Sequence, residues 1–200
     1  MLADVTGYVA TLFSMAFIWP QVVRAHRRNT VEGLAPLGQV IGSVATVLWG
    51  VYSYFTERLP GVVSNINMLL ALGCLIAIMV RHRVLKALPP IVAVAAATSI
   101  SLYVGRISPE TVGIAAVIVG TPSILPQFWR ALRSNRLYGV SVPSNLIFLA
   151  CCVTWFVYGI LEKDWILIFP NLFVIPCALL ITTKAARSHR LLHESASLSI

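Results

Sequence analysis

Apolar residues fall into seven runs separated by short polar segments: 5–23, 34–55, 62–80, 87–104, 112–132, 140–161 and 165–183. Each is about 17–22 residues long, which at ~1.5 Å per residue crosses a hydrocarbon core of about 30 Å. Backbone N–H and C=O groups in lipid must pair within the span. The runs therefore predict seven transmembrane helices, an all-α polytopic membrane protein. The segments between them are short and force neighbouring spans to run antiparallel.

The runs also repeat. An offset of 106 residues carries Pro20 to Pro126, Gln21 to Gln127 and Arg24 to Arg130. Without a gap it carries Gly7 to Gly113, Arg27 to Arg133, Asn29 to Asn135 and Gly33 to Gly139. It also carries Trp49 to Trp155, Tyr52 to Tyr158 and Asn65 to Asn171. A register held this far is the mark of an internal duplication. Each copy holds three spans, and an odd-numbered unit would set the second copy upside down. The fourth run, rich in Ala, Val and Ser and opening at Pro89-Pro90, has no counterpart. It is read as an inversion linker that leaves the copies parallel about an axis along the membrane normal. The expected organisation is a first triple-helix bundle over 1–84, a linker helix over 85–107, a second bundle over 108–186 and a tail over 187–200. The tail is polar and expected to fray.

Composition agrees with this pattern. The 200 residues are 58% hydrophobic and 11% charged, with mean hydropathy +0.85. Soluble domains hold about 45–50% apolar and about 25% charged residues. The net charge of +8 does not point to nucleic acid, because the basic residues sit in short clusters between apolar runs rather than on one polar face. Arg58, Arg106 and Lys163 lie on one side of the membrane and the other twelve of the 15 Lys and Arg on the opposite side. By the positive-inside rule the richer side is the cytoplasm, with the N-terminus outside and the C-terminus inside. Asp4, Glu57, Glu110, Glu162 and Asp164 fall on the outer side. The N-terminus lacks the basic region of a cleavable signal, so the first span is expected to be retained. Cys74, Cys151, Cys152 and Cys177 all lie in apolar runs, where thiols act as small hydrophobes. No metal-ligand spacing, disulfide framework, cofactor motif or catalytic group is visible.

Several polar or helix-breaking residues stand where lipid would discourage them. Pro20 and Pro126 sit inside helical runs, each freeing the carbonyl four residues back, at Ala16 and Pro122. Either they make a hinge or they serve packing; their equivalence and the Gln after each favour a gate. Pro36 and Pro143 open the following spans, one residue out of register. Gln21 and Gln127 either serve the gate or satisfy backbone beside the kink. Trp19, Trp129 and Trp165 lie near span ends and read as interface anchors. Gly38 and Gly42 form a GxxxG that reads as a close-packing site. Trp49 and Trp155 lie about 21 Å into spans that start on the basic side. Asn65 and Asn171 descend to a similar depth on the next span. Asn in hydrocarbon needs a partner, so each either glues two helices or meets a solute. Two Trp and two Asn about one axis suit a polyhydroxylated ligand, with indole faces on C–H surfaces and amides on hydroxyls. No Asp, Glu, Lys, Arg or His lies in the middle of any run, although proton coupling needs such a group at depth.

The segments PQVVRAHRRNTVEGLAP followed by WGVY, and PQFWRALRSNRLYGVSVP followed by WFVYG and FPN, resemble two PQ-loop repeats. The 3+1+3 layout over Gly7 to about Lys184 is similar to the SWEET sugar transporters of the MtN3/saliva/PQ-loop superfamily. That resemblance implies two bundles in which the third span packs between the first and second, and a central solute pathway. It places Trp155 and Asn171 in the family's pocket, with Trp49 and Asn65 as their repeat partners. Ala45 and Cys151 match positions lining that pocket, and Pro20, Pro36, Pro126 and Pro143 match its proline tetrad. Ser64-Asn65 departs from the Pro-Asn seen at Pro170-Asn171. The expected function is facilitative uniport of a small neutral solute, a mono- or disaccharide above all, across a prokaryotic cell membrane. Its partners are the solute and the lipid bilayer, with a homo-oligomer left open. Transport of amino acids or other metabolites is the first alternative, and a receptor or scaffold on the same fold the second.

Overall fold

The computed structural model describes residues 1–134, 137 and 140–197, with side chains to residue 191. Asn135 and Gly139 of the repeat, Arg136 of the basic side and the last three residues of the tail lie outside the described residues. Among the described residues every regular element is helical. In order they are α1 (Leu2–Arg27), α2 (Pro36–Phe55), α3 (Leu59–Arg81), α4 (Leu88–Gly105) and α5 (Pro109–Gly120). A 3-10 turn (Thr121–Ile124), α6 (Leu125–Arg133), α7 (Val142–Leu161) and α8 (Trp165–Ser197) follow. α5, the 3-10 turn and α6 together make one span, so all seven predicted spans are present. Six of them are long and apolar enough to cross a membrane. The exception is α2, which carries Gln39, Ser43, Thr46 and Ser53 and packs against α3, α4 and α5.

Local chemistry sets the boundaries. Proline stands in the first turn of each helix from α2 to α7, where the N–H it lacks would have no intrahelical partner. α2 and α7 end alike. Glu57 and Lys163, 106 residues apart, take left-handed φ of 56° and 53°. The next N–H in each reaches back five residues: Arg58 to Ser53 O and Asp164 to Gly159 O, both at 2.8 Å. These are helix-terminating turns of the Schellman type, and they deliver Arg58 and Asp164 to equivalent places.

Packing follows the duplication. α3 lies against both α1 and α2, and α8 against both α7 and the α5–α6 span. One apolar cluster gathers Ile18, Ala25, Ala71, Leu72 and Leu75; another gathers Ile124, Ala131, Cys177, Ala178 and Ile181. Each residue of the second is the 106-residue image of one in the first. The copies meet through α1 on α7 and α2 on α5, while α4 packs on α2 and α5. A third cluster spans both copies at the less basic end, with Val51, Tyr52, Val112, Tyr158 and Leu167.

Three expectations change. The tail after Arg190, expected to fray, continues α8 to Ser197, a helix held before that point by polar contacts to α6 and the loop after it. Buried Ser188 Oγ accepts the N–H of Leu137 at 2.9 Å, and Lys184 Nζ donates to Ala131 O at 2.7 Å. Pro126 is not inside an α-helix but in the first turn of α6. Pro122 and Pro126 remove two N–H groups four residues apart, so the chain makes a 3-10 turn there, whereas α1 stays helical through Pro20. Gly38 and Gly42 admit no close backbone: the nearest neighbour to a Cβ at Gly42 would be Leu72 at 3.9 Å.

Candidate functional site

The polar residues of the interior lie in three layers between the copies. The first is a cavity of about 590 Å³ on the basic side. Phe17, Pro20, Gln21 and Arg24 of α1 line it, facing Ser123, Ile124 and Gln127. α7 and its N-cap supply Ser141, Ser144, Asn145 and Phe148. Gln21 and Gln127, predicted as a pair, therefore meet in one space. Neither makes a hydrogen bond to the backbone of another described residue. Pro20 lines the cavity and Pro126 does not; Pro36 and Pro143 stand in the first turns of α2 and α7. The Phe17 and Phe148 rings, centroids 5.1 Å apart, meet between α1 and α7 at the cavity's inner wall.

One turn beyond those rings lies the second layer. Trp155 donates its indole N–H to Ser14 Oγ at 3.1 Å, and Cys151 Sγ lies 3.3 Å from the same oxygen. This joins α7 to α1 across the two copies. The equivalent place in the other half is occupied by Gly120, Ala45 and Trp49. A Cβ on Gly120 would stand 3.5 Å from both Ala45 Cβ and Trp49 Nε1. So the structure brings each Trp together with the small residue one turn before it, and each pair with the first span of the opposite copy. The two Asn behave alike but not as inter-helix glue. Asn65 Nδ2 donates to Gly61 O at 2.8 Å and Asn171 Nδ2 to Leu167 O at 2.9 Å, both within their own helices. Each keeps its amide oxygen, with no hydrogen bond to another described residue. Trp49, Trp155, Asn65 and Asn171 are all half-buried, and none lines the cavity.

The third layer closes the less basic end, and sequence reading passed over it. Tyr52 donates to Asp164 Oδ2 at 2.6 Å, and Arg58 Nη1 stands 3.1 Å from the same oxygen. Arg58 Nε is 3.8 Å from Glu162 Oε2. No N–H from Nε or Nη1 of Arg58 is aligned on an acceptor, so these are ion pairs rather than directed hydrogen bonds. Asp164, placed by the sequence in the outer loop after α7, is 6% exposed. Its other oxygen caps α8, accepting the N–H of Ile166 at 2.9 Å. Arg58 and Asp164 are themselves 106 residues apart, so the pair joins equivalent points across the axis. That offset, with opposite charges at its two ends, was the available signal. Trp49 with Tyr52 and Trp155 with Tyr158 pack edge-on at 6.0 and 5.5 Å, tying this layer to the second in both copies. Trp19 also does more than anchor: its N–H reaches Asn67 Oδ1 at 3.0 Å on α3. Trp129 and Trp165 are exposed, as interface anchors are.

The arrangement is a cavity between the copies on the basic side, an uncharged middle layer, and an ion-paired contact between the copies at the far end. It can bind and release a solute; among the described residues it offers no nucleophile–base pair. Residues 2–62 match the PQ-loop repeat family, and residues 110–183 match the family described as "Sugar efflux transporter for intercellular exchange". Over 64 residues the chain is 33% identical to a protein of Leptospira biflexa named "Sugar transporter SemiSWEET", covering 32% of this chain and 75% of that one. A protein of Escherichia coli with the same name is 30% identical over 63 residues, covering 32% of this chain and 71% of its own. The solved structure of a eukaryotic SWEET transporter superposes over 95% of this chain and all of its own, with TM-score 0.75 at 14% identity. That likeness concerns the fold.

Proposed function

This chain belongs to the SWEET/PQ-loop superfamily, and we propose that it is a uniporter of small neutral solutes, mono- or disaccharides above all. The observation that carries the reading is the opposition of the layers. A 590 Å³ cavity opens between the copies on one side, while Tyr52, Arg58 and Asp164 join the copies on the other. Alternating access then needs only a rocking of the first bundle (1–84) against the second (108–186), with 85–107 as the linker. Pro20 and the 3-10 turn before Pro126 give the two innermost spans places to bend. The cavity presents two Gln side chains, Ser141, Ser144 and Asn145, donors and acceptors without negative charge that suit hydroxyls. The relatives named as sugar transporters favour the same solute class. Among the described residues the second layer holds no carboxylate, imidazole or amine, the groups that usually carry a proton between the two sides. The bilayer is that of the cell, with the basic side cytoplasmic.

Proteoliposomes test this with labelled glucose and sucrose. At least one should exchange in counterflow and run down its gradient in either direction. With equal sugar on both sides, an imposed pH step should drive no accumulation. Uphill uptake that a protonophore abolishes would end the uniport reading. Failure of both sugars, with uptake of a neutral amino acid instead, would end the sugar reading. The orientation is checked separately by impermeant thiol labelling. A cysteine beside Glu162 should react in intact cells and one beside Arg133 only after permeabilisation; the reverse would invert the topology.

A further inference from the structure

The two halves of the middle layer are images of each other in position but not in chemistry. Trp49 and Trp155 are equivalent, as are Ala45 and Cys151. The third member differs: the first copy has Ser14 where the second has Gly120. Ser14 accepts the indole N–H of Trp155 at 3.1 Å and donates to Ala10 O at 3.0 Å, so both of its polar capacities face the protein. Gly120 has no side chain to do the same for Trp49. Trp49 Nε1 lies 3.5 Å from where a Gly120 Cβ would stand, and the indole makes no hydrogen bond to another described residue. It is half-buried and about one turn from Ala45 on the same helix.

We infer that the solute is held asymmetrically: Trp49 is the indole that donates to it, whereas Ser14 keeps Trp155 as an apolar wall. The inference rests on the transporter reading above and adds a specificity determinant to it. A half-buried N–H takes its acceptor from whatever fills the space beside it, a water or a solute oxygen that replaces that water, and the Trp49 nitrogen is not among the buried unpartnered atoms. Trp155 has its acceptor within the protein. Trp49 finds one only in what enters the passage, so the preferred solute places a hydroxyl or ring oxygen beside α2 and α5. On the α1–α7 side it presents a C–H face, which packs on the Trp155 ring without asking for a hydrogen bond. A solute with two-fold symmetric polarity gains nothing from such a site. A sugar, with one C–H-rich face and one hydroxyl-rich edge, does.

Gly120 has φ −84° and ψ −44°, a conformation any residue adopts, so substitution there strains no backbone. Gly120→Ala adds a methyl at ordinary contact distance. Gly120→Ser adds the same methyl plus a hydroxyl placed as Ser14 is placed, and so supplies Trp49 with an internal acceptor. In proteoliposomes with labelled glucose and sucrose, Gly120→Ser should raise the half-saturation concentration about tenfold over Gly120→Ala, ~1.4 kcal/mol of affinity. Equal values for the two variants overturn the inference.

A second measurement is independent of the sugar. In protein labelled with 15N at tryptophan, the Trp155 indole N–H should exchange with solvent at least tenfold more slowly than that of Trp49. Gly120→Ser should slow Trp49, and Ser14→Ala should speed Trp155. Equal exchange of the two indoles in the unsubstituted protein overturns the asymmetry. If the unsubstituted protein carries neither sugar, the sugar reading fails, and the exchange order still upholds or overturns the inequality of the two indoles.

Discussion

Asp164→Asn and Arg58→Ala should each remove most transport, by a hundredfold or so, while the double charge swap Arg58→Asp with Asp164→Arg recovers much of it. Asp164 is 6% exposed and Arg58's side chain 15% exposed, so either charge left alone is poorly solvated. Breaking a buried pair by deleting one partner costs roughly 3–5 kcal/mol, and in the proposed alternating access this pair forms only when the less basic end is closed. The cost therefore falls on one conformation, and a loss of about 3 kcal/mol shifts its population by about two orders of magnitude. Asparagine still accepts from Tyr52 and still caps α8, so Asp164→Asn isolates the charge. The swap is a sharper test, because the two positions are images of each other. An aspartate at position 58 becomes the N-cap of α3, as Asp164 is the cap of α8, and it meets Tyr158, the image of Tyr52. Uptake into proteoliposomes decides it. If the swap is as inactive as the single variants while folding is retained, the layer is not a symmetric latch. Normal uptake by Asp164→Asn would show that the charge plays no part in closure.

How far the sequence carried this picture depended on whether a residue's role was local or axial. Seven spans, their antiparallel order and the 106-residue register were legible because hydrophobic length and periodicity decide them. Trp49, Trp155, Asn65 and Asn171 stood out as costly things to bury, and the structure leaves all four half-buried. Their partners were not. Asn65 and Asn171 bond to their own helices, because the carbonyl four residues back is the nearest acceptor. No pattern announced Ser14, a small residue in an apolar run whose hydroxyl matters only because α1 crosses α7 there. Arg58 and Asp164 read as loop charges for the same reason: burial across an axis is a tertiary fact. The break at Pro126 was half legible. Proline at a repeat position promised a bend, but Gly120, Thr121 and Pro122 together decided that it would be a 3-10 turn on one side only.

The glycines that opened the register carry the other large effect. Gly7→Ala combined with Gly113→Ala should hold the less basic end open, stop transport and expose Cys151 to an impermeant thiol reagent from that side. Gly7 lies where α1 meets the other copy: a Cβ there would stand 2.7 Å from Pro60 Cβ and 2.9 Å from the Tyr158 ring. Gly113 is its image: a Cβ would stand 2.8 Å from Ile166 Cγ2 and 2.9 Å from the Tyr52 ring. These distances are too short for real carbon contacts, so a methyl at Gly7 pushes α1 from both α3 and α7, and one at Gly113 pushes α5 from both α8 and α2. Overpacking of this kind costs about 1–3 kcal/mol per site. The rings it displaces are Tyr52 and Tyr158, the first of which completes the closure by donating to Asp164. Opening separates α1 from α7 and α5 from α2 and so relieves the share of the strain against Tyr158 and Tyr52; the share against Pro60 and Ile166, inside each bundle, remains. Two sites together cost about 2–6 kcal/mol, and the share between the copies shifts the two-state equilibrium toward the open end, about 5.5 kcal/mol being what carries one from 1:99 to 99:1. Cys151 is a native reporter, buried beside Ser14 in the present closed arrangement, once Cys74, Cys152 and Cys177 are replaced by alanine. Labelling of the double variant from the Glu162 side, with the unsubstituted glycines protecting the thiol, is the expected result. Full transport with Cys151 still shielded would mean that the helices absorb both methyls without opening, and that the glycines serve packing alone.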